Sequence, residues 1–226
     1  MNEIKLMNRA ADNIRILAAS MVEKAKSGHP GGAMGGADFI NVLFSEYLIF
    51  DPKNPQWEGR DRFFLDPGHM APMLYSVLAL SGKFTMDELA QLRQWGSPTP
   101  GHPEVCLERG IENTSGPLGQ GHTFAVGAAI AEKFLAARLG NEVMKHTIYA
   151  YISDGGVEEE ISQGSAAAYL VNPVNGLLSG AVDLILALCC AQKNITESHQ
   201  SYVHSAVKTC YNGAVDVVAG IGELGN

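Results

Sequence analysis

The sequence lacks several features that would assign a protein to a class. Its four cysteines include no C-x-x-C pair, so the pattern predicts neither a zinc ribbon nor a disulfide framework. Thiols without such a pattern are typical of a reducing compartment. No long basic run occurs and the net charge is −8, so we expect no nucleic-acid interface. An anionic ligand held through a metal stays possible, because the field at a site is local.

Long apolar segments are also missing. The most apolar stretch runs from Gly176 to Cys190, which is too short to span a bilayer and contains Asp183. The first twenty residues mix charged and apolar positions in the manner of an amphipathic helix, and they do not form a signal peptide. We therefore expect a soluble, cytoplasmic protein with no membrane partner.

Helical and extended patterns alternate along the first 170 residues. Apolar residues from Leu6 to Ala25 recur at helical spacing, and the sequence His-Pro-Gly-Gly after Ser27-Gly28 cannot continue that helix. The same reasoning predicts helices over 36–49, 70–80, 86–95 and 123–139 and strands over 62–65 and 147–152. This alternation predicts an α/β fold with a doubly wound, mostly parallel sheet flanked by helices.

The character of the sequence changes near residue 170. Two apolar stripes at helical spacing follow, one over 181–192 and one over 203–221. We therefore divide the chain into an α/β domain at 1–170 and a tail at 171–226. The tail is predicted to form a helical hairpin that packs on the α/β part.

Four glycine-rich loops carry polar groups. Three contain a histidine, in the motifs SGHPGG (His29), DPGHMAP (His69) and TPGHPE (His102). The fourth, SGPLGQGH, precedes a helix, so it could form a plain turn or expose N–H groups to a phosphate. Each histidine alone could be an ordinary loop residue. Loops at the carboxyl ends of parallel strands gather at one edge, however, where the histidines would supply proton donors and acceptors.

A fifth motif, SDGGVEEE, begins where the strand over 147–152 ends. Asp154 could cap the following helix, or it could bind a hard cation such as Mg²⁺ together with phosphate oxygens. Gly155 and Gly156 would let the backbone approach the bound anion. We favour the metal site, because the other loops predict an anion at the same edge.

In this order and approximate spacing, the five motifs resemble the N-terminal domain of transketolases over about residues 5–169. The related deoxyxylulose-phosphate synthases share the Ser-Gly-His and Asp-Gly elements, whereas TPGHPE favours transketolase. The resemblance implies a transferase of the pentose phosphate pathway that moves a two-carbon ketol unit between sugar phosphates. Its implied cofactors are thiamine diphosphate and Mg²⁺ or Ca²⁺.

The resemblance also implies roles for single residues. His29 and His102 would contact substrate hydroxyls as catalytic residues, and Asp154 would be a metal ligand. Glu159 matches a glutamate that joins the two halves of the active site across a dimer interface. The residues implied in cofactor binding are His69, Gly116, Pro117, Leu118, Gly155 and Glu159.

The sequence departs from the family pattern in three respects. The family places an asparagine metal ligand about thirty residues after the aspartate, and no asparagine occurs near position 184. Serine replaces a usual glycine before Asp154, and His122-Thr123-Phe124 stand where the family has smaller or polar residues. The pyrimidine-binding domain, with the glutamate that activates the aminopyrimidine, is not matched.

Two interpretations therefore stay open. The chain is the diphosphate-binding half of a transketolase, truncated and inactive alone, and completed by a homodimer or by a partner subunit carrying the pyrimidine-binding domain. Alternatively, it is a non-catalytic transketolase-related or fused domain that acts as a binding module. In both cases the metal site is incomplete, so we expect metal and cofactor binding to be weak or absent.

Overall fold

The computed structural model describes residues 3–144, 146–162 and 184–188 of the chain. Its strands form one parallel sheet in the order β1-β2-β3, with β1 at Arg62–Leu65, β2 at Ile148–Ile152 and β3 at Leu184–Leu188. Arg62 lies opposite Ile148, and Ile148 lies opposite Leu184. Every residue of β2 is buried, as expected for the middle strand of a parallel sheet that is covered on both faces.

Helices surround the sheet. The described α-helices are α1 (Ile4–Ala25), α2 (Pro30–Gly35), α3 (Ala37–Val42), α4 (Ala71–Leu80), α5 (Met86–Leu89), α6 (Gln120–Leu139) and α7 (Asp154–Glu158). A π-helical turn at Leu43–Tyr47 and 3₁₀ turns at Gly68–Met70 and Leu107–Arg109 complete the helical segments of the described residues. Within those residues, no helix combines the length and apolar character needed to cross a membrane.

Side chains of the sheet alternate between its two faces. Leu65 and Tyr151 pack on one face against α1 and α4, whereas Ile148 and Ile152 pack on the other face against α6. Helix α4 is central to the first layer, since its residues from Ala71 to Leu78 are all buried. The predicted parallel sheet with flanking helices is therefore confirmed.

Two predicted helices end early. The helix predicted over 86–95 ends at Leu89, because Gln91 and Leu92 donate their N–H groups three residues back instead of four. Arg93 then adopts a left-handed φ of 63° and donates its N–H to the Thr99 carbonyl at 3.0 Å. The helix predicted over 36–49 changes at Val42 from α-helix to the π-helical turn. In both cases the apolar spacing predicts the helix but not its final turn.

The predicted helical hairpin over 171–226 is wrong where the structure describes it. Residues 184–188 form β3, which pairs in parallel with β2, rather than a turn of helix. The sequence Leu-Ile-Leu-Ala-Leu is a short apolar run, and such a run fits a buried strand as well as a buried helix. The rest of the predicted hairpin and the domain boundary at residue 170 lie outside the described residues.

Strand β3 also changes where a second metal ligand would lie. Parallel strands end at the same edge of a sheet, so the edge that carries Asp154 is reached at Leu188. Position 184 is the first residue of β3 and therefore lies at the opposite edge. A ligand from this strand would follow Leu188, outside the described residues.

Asn113 holds the loop that leads to the fourth glycine motif. Its side-chain Oδ1 accepts the N–H of Leu65 at 3.1 Å, and its Nδ2 donates to the Leu65 carbonyl at 3.1 Å. This pair of bonds occupies backbone groups of β1 in the way that a neighbouring strand would. Ser115 then donates its N–H to the Pro103 carbonyl at 3.1 Å. These contacts bring the loops around His102 and Ser115 to the carboxyl end of β1.

Candidate active site

The three loop histidines meet at the carboxyl ends of the strands. His29 precedes α2, and His69 lies in the 3₁₀ turn after β1. Their ring centroids are 5.1 Å apart, with the ring planes inclined by 63°. His102 adjoins the same turn, since a Cβ on Gly68 would lie 3.0 Å from His102 Cδ2. The predicted convergence of the three histidines is confirmed.

The fourth glycine motif forms the start of α6 at this edge. Gly119 is the N-cap of α6 and has a φ of 87°, a conformation that favours glycine. A Cβ on Gly121 would lie 2.5 Å from Asp66 Cα, so the first turn of α6 packs directly on the backbone at the end of β1. Gly116, in contrast, has no atom within 4 Å of an added Cβ. The loop is therefore tight against the sheet at one end and open at the other.

The aspartate motif follows β2 and contacts the fourth glycine motif. Ser153, not Asp154, caps α7, since its side chain accepts the N–H of Gly156 at 3.2 Å. The exposed carboxylate of Asp154 is thus not used as a helix cap. A Cβ on Gly155 would lie 2.9 Å from Leu118 Cδ1, which shows how closely the two motifs approach.

Glu159 lies at the same contact. A Cβ on Gly119 would lie 2.8 Å from Glu159 Cβ and 3.6 Å from Ser162 Cβ. Glu159 is itself exposed, so its carboxylate is accessible beside the start of α6. The structure therefore brings Leu118 beside Gly155 and Gly119 beside Glu159, so that the two glycine motifs meet.

Sequence reasoning missed a buried polar network beneath these loops. Asp66 is fully buried, and its Oδ1 accepts the N–H of His122 at 3.2 Å. His122 is 3% exposed, and its Nδ1 is hydrogen-bonded to Ser162 Oγ. The sequence signals were the aspartate that ends the apolar run Phe-Phe-Leu and the unusual histidine after Gly121, but neither indicates that the two residues meet.

Arg93 is a second residue that sequence reasoning missed. Its Nη1 donates to Ser27 Oγ at 3.0 Å, and a Cβ on Gly101 would lie 2.8 Å from Arg93 Nε. The guanidinium group therefore lies between the loop of His29 and the loop of His102. It adds a fixed positive charge to this side of the site.

The surroundings of His69 lower its pKa and so favour its neutral form. Burial lowers the pKa of His69, and the neighbouring His29 and His102 lower it further. Asp66 and Asp154 raise the pKa of the same ring, but they do not reverse the direction. A histidine with a pKa below its usual value of about 6.5 is a neutral proton acceptor and donor at pH 7.

Arg93→Met is expected to raise the pKa of His102. Burial lowers the pKa of His102 first, and the positive charges of Arg93 and then His29 lower it further. Removing the guanidinium charge favours the protonated ring, so the NMR titration of His102 should move to higher pH.

Arg138→Met is the matched control, because it removes the same charge near the far end of α6, roughly 27 Å from the first residue of that helix. Arg138 lies over the ring of Phe134, 4.5 Å from the ring centroid. Arg138→Met should leave the pKa of His102 unchanged. Equal titrations of His102 in the wild type and in Arg93→Met would show that the guanidinium does not act on this ring.

Comparison with known proteins gives one consistent result. Residues 6–172 match the family described as "Transketolase, thiamine diphosphate binding domain". The chain is 50% identical over 162 residues to Transketolase-1, chloroplastic, of Arabidopsis thaliana, covering 70% of this chain and 22% of that relative. It is 51% identical over 156 residues to Transketolase 1 of Escherichia coli (strain K12), covering 67% and 24%.

A solved structure gives the same relationship at the level of the fold. Transketolase from Leishmania mexicana matches with a TM-score of 0.73 and 33% identity, covering 94% of this chain and 34% of that chain. The chain thus spans less than a quarter of the length of the two curated relatives and about a third of the solved one.

Proposed function

The chain belongs to the transketolase family, and from this we propose that it binds the diphosphate of thiamine diphosphate and serves ketol transfer between sugar phosphates. The observation that carries the proposal is the contact of two glycine motifs at one edge of the sheet. Leu118 meets Gly155 there, and Gly119 meets Glu159. The family match favours this function over a non-catalytic binding module.

The loop before α6 fits a diphosphate. Gly116 faces open space, where an added side chain would meet nothing within 4 Å. Gly119 begins a helix of 20 residues, whose first N–H groups and partial positive charge favour an anion. Pro117 and Leu118 lie between them, so we assign Gly116, Pro117, Leu118 and Gly155 to the diphosphate site. When bound, thiamine diphosphate supplies the stabilised carbanion that ketol transfer requires.

Asp154 fits a divalent metal that is held mainly by phosphate. Its carboxylate is exposed at the edge and does not cap α7. The described residues contain no group of three or more histidine, cysteine or carboxylate side chains that could hold a metal. Mg²⁺ is commonly bound through one or two carboxylates together with substrate phosphates. We therefore propose Asp154 as a ligand of Mg²⁺ or Ca²⁺.

The histidines are suited to hold sugar hydroxyls. His29 and His102 are both exposed, and His69 lies between them and the sheet. A neutral ring can accept a proton at one nitrogen and donate at the other. We propose that His29 and His102 contact the substrate, and that His69 faces the diphosphate.

Helix α6 presents an apolar surface that suits a partner. Phe124 and Phe134 are 49% and 53% exposed, and Ile130 is 51% exposed. Large apolar side chains that lie together on a surface are typical of protein interfaces. We propose that a second copy or a subunit with the pyrimidine-binding domain covers this face, next to the exposed Glu159.

Thiamine diphosphate with Mg²⁺ is expected to raise the melting temperature of the chain, and Asp154→Ala is expected to abolish the rise. A ligand at 100 times its Kd stabilises the native state by about 2.7 kcal/mol. We expect a smaller effect at millimolar cofactor, because Asp154 is a single carboxylate. Differential scanning fluorimetry over a range of cofactor concentrations measures the shift.

Glu158→Ala is the matched control, because Glu158 is an exposed carboxylate on the same short helix. It should keep the cofactor-dependent shift. If Asp154→Ala and Glu158→Ala respond equally to the cofactor, Asp154 is not a metal ligand. If the wild type shows no saturable shift and calorimetry detects no binding, the proposed site is wrong.

A further inference from the structure

Asp66 is a buried carboxylate at the carboxyl end of β1. It is 0% exposed, and its Oδ2 has no hydrogen-bond partner among the described residues. Nor do the described residues place a Lys or Arg side chain in an ion pair with it. A buried charge without such partners is costly, so its presence calls for a physical account.

The carboxylate lies directly beneath the two glycine motifs. Its Oδ1 accepts the N–H of His122, which is one of the first N–H groups of α6. Its Oδ2 faces Gly156, where an added Cβ would collide with that oxygen. The backbone of Asp66 is fixed as well, since its N–H donates to the Tyr151 carbonyl at 2.9 Å.

In this position, Asp66 competes with a bound phosphate for the partial positive charge at the start of α6. The start of a helix favours one anion, because its free N–H groups and partial positive charge are shared by whatever binds there. Asp66 already occupies one of these N–H groups with a carboxylate oxygen. The ring of His122 does not neutralise it, since burial lowers the pKa of His122 and Asp66 opposes this only in part.

We propose that Asp66 lowers the affinity of the site for a diphosphate. Its carboxylate lies behind the N–H groups that would face the phosphate. An ionised Asp66 would repel a bound phosphate strongly there, because charges interact more strongly in the low-dielectric interior than in water. The inference rests on the proposed function, because it assumes that the diphosphate binds at the loop before α6.

Asp66→Asn is expected to bind Mg²⁺-pyrophosphate and Mg²⁺-thiamine diphosphate about tenfold more tightly than the wild type. Asparagine keeps an oxygen to accept the N–H of His122 and removes only the charge. Isothermal titration calorimetry on the full 226-residue chain measures both ligands. Melting temperatures without ligand confirm that each variant is folded.

Asp61→Asn is the matched control. Asp61 is also buried beside β1, but it lies before the strand and accepts the N–H groups of Ile49 and Thr147 at 2.9 and 2.7 Å. Replacing the Asp61 carboxylate by an amide should leave the affinity for both ligands unchanged. If Asp66→Asn fails to fold, Asp66→Ser removes the same charge and is judged by the same outcome.

The outcomes distinguish failure of the inference from failure of the proposed function on which it rests. Equal affinity of the wild type and Asp66→Asn overturns the inference and leaves the proposed function standing. Weaker binding by a folded Asp66→Asn also overturns it, because Asp66 would then support binding rather than oppose it. If no protein binds either ligand, including Asp66→Asn, both the proposed function and the inference are wrong.

Discussion

Gly121→Ala is expected to lower the free energy of unfolding by about 3 kcal/mol, although alanine favours helices more than glycine does. The added Cβ would lie 2.5 Å from Asp66 Cα, 2.8 Å from the Leu65 carbonyl oxygen and 2.9 Å from Asp66 N. All three atoms belong to the backbone, so no side chain can rotate away. Relief of the clash requires α6 or the end of β1 to move. Urea denaturation monitored by circular dichroism measures the loss.

Gly127→Ala is the matched control on the same helix. Gly127 is exposed within α6, and an added Cβ would meet no atom within 4 Å. Only helix propensity then changes, so the free energy of unfolding of this variant should rise by about 0.5–1 kcal/mol. A similar gain for Gly121→Ala would contradict the packing of α6 on β1 and, with it, the position of the diphosphate loop.

The candidate site could be predicted from the sequence because its signals are local. Glycine and histidine motifs next to strand ends require no knowledge of distant contacts, and a parallel sheet brings such ends to one edge. This reasoning located the loops of His29, His69 and His102 together at the edge that also carries the Asp154 motif. The choice of a metal role for Asp154 over a capping role gains support from the cap that Ser153 supplies.

The features that the sequence did not reveal depend on residues far apart in the chain. Asp66 meets His122 across 56 positions, and Arg93 meets Ser27 across 66. No local pattern indicates such pairs, and a charged residue in a loop is usually solvated. The strand at 184–188 was predicted as helix for a related reason. Its short apolar run fits either element, and its pairing with β2, a contact between distant parts of the chain, makes it a strand.

The chain on its own is expected to show no ketol transfer. By the family resemblance, the glutamate that activates the aminopyrimidine belongs to the pyrimidine-binding domain, whereas the family match of this chain is to the diphosphate-binding domain at 6–172. Purified chain with xylulose 5-phosphate, ribose 5-phosphate, thiamine diphosphate and Mg²⁺ should therefore form no sedoheptulose 7-phosphate. Clear turnover without added protein would refute this expectation.

A separately produced pyrimidine-binding domain is expected to restore turnover when it is added. The exposed apolar face of α6 is the proposed contact, so Phe134→Asp should prevent the restoration by placing a charge on that face. Trp95→Asp is the control, because Trp95 is fully exposed in a loop away from α6 and should leave the restored rate unchanged. Equal restoration by both variants would exclude α6 as the contact. If thiamine diphosphate binds normally but no addition restores turnover, the catalytic part of the proposed function fails while the binding site itself stands.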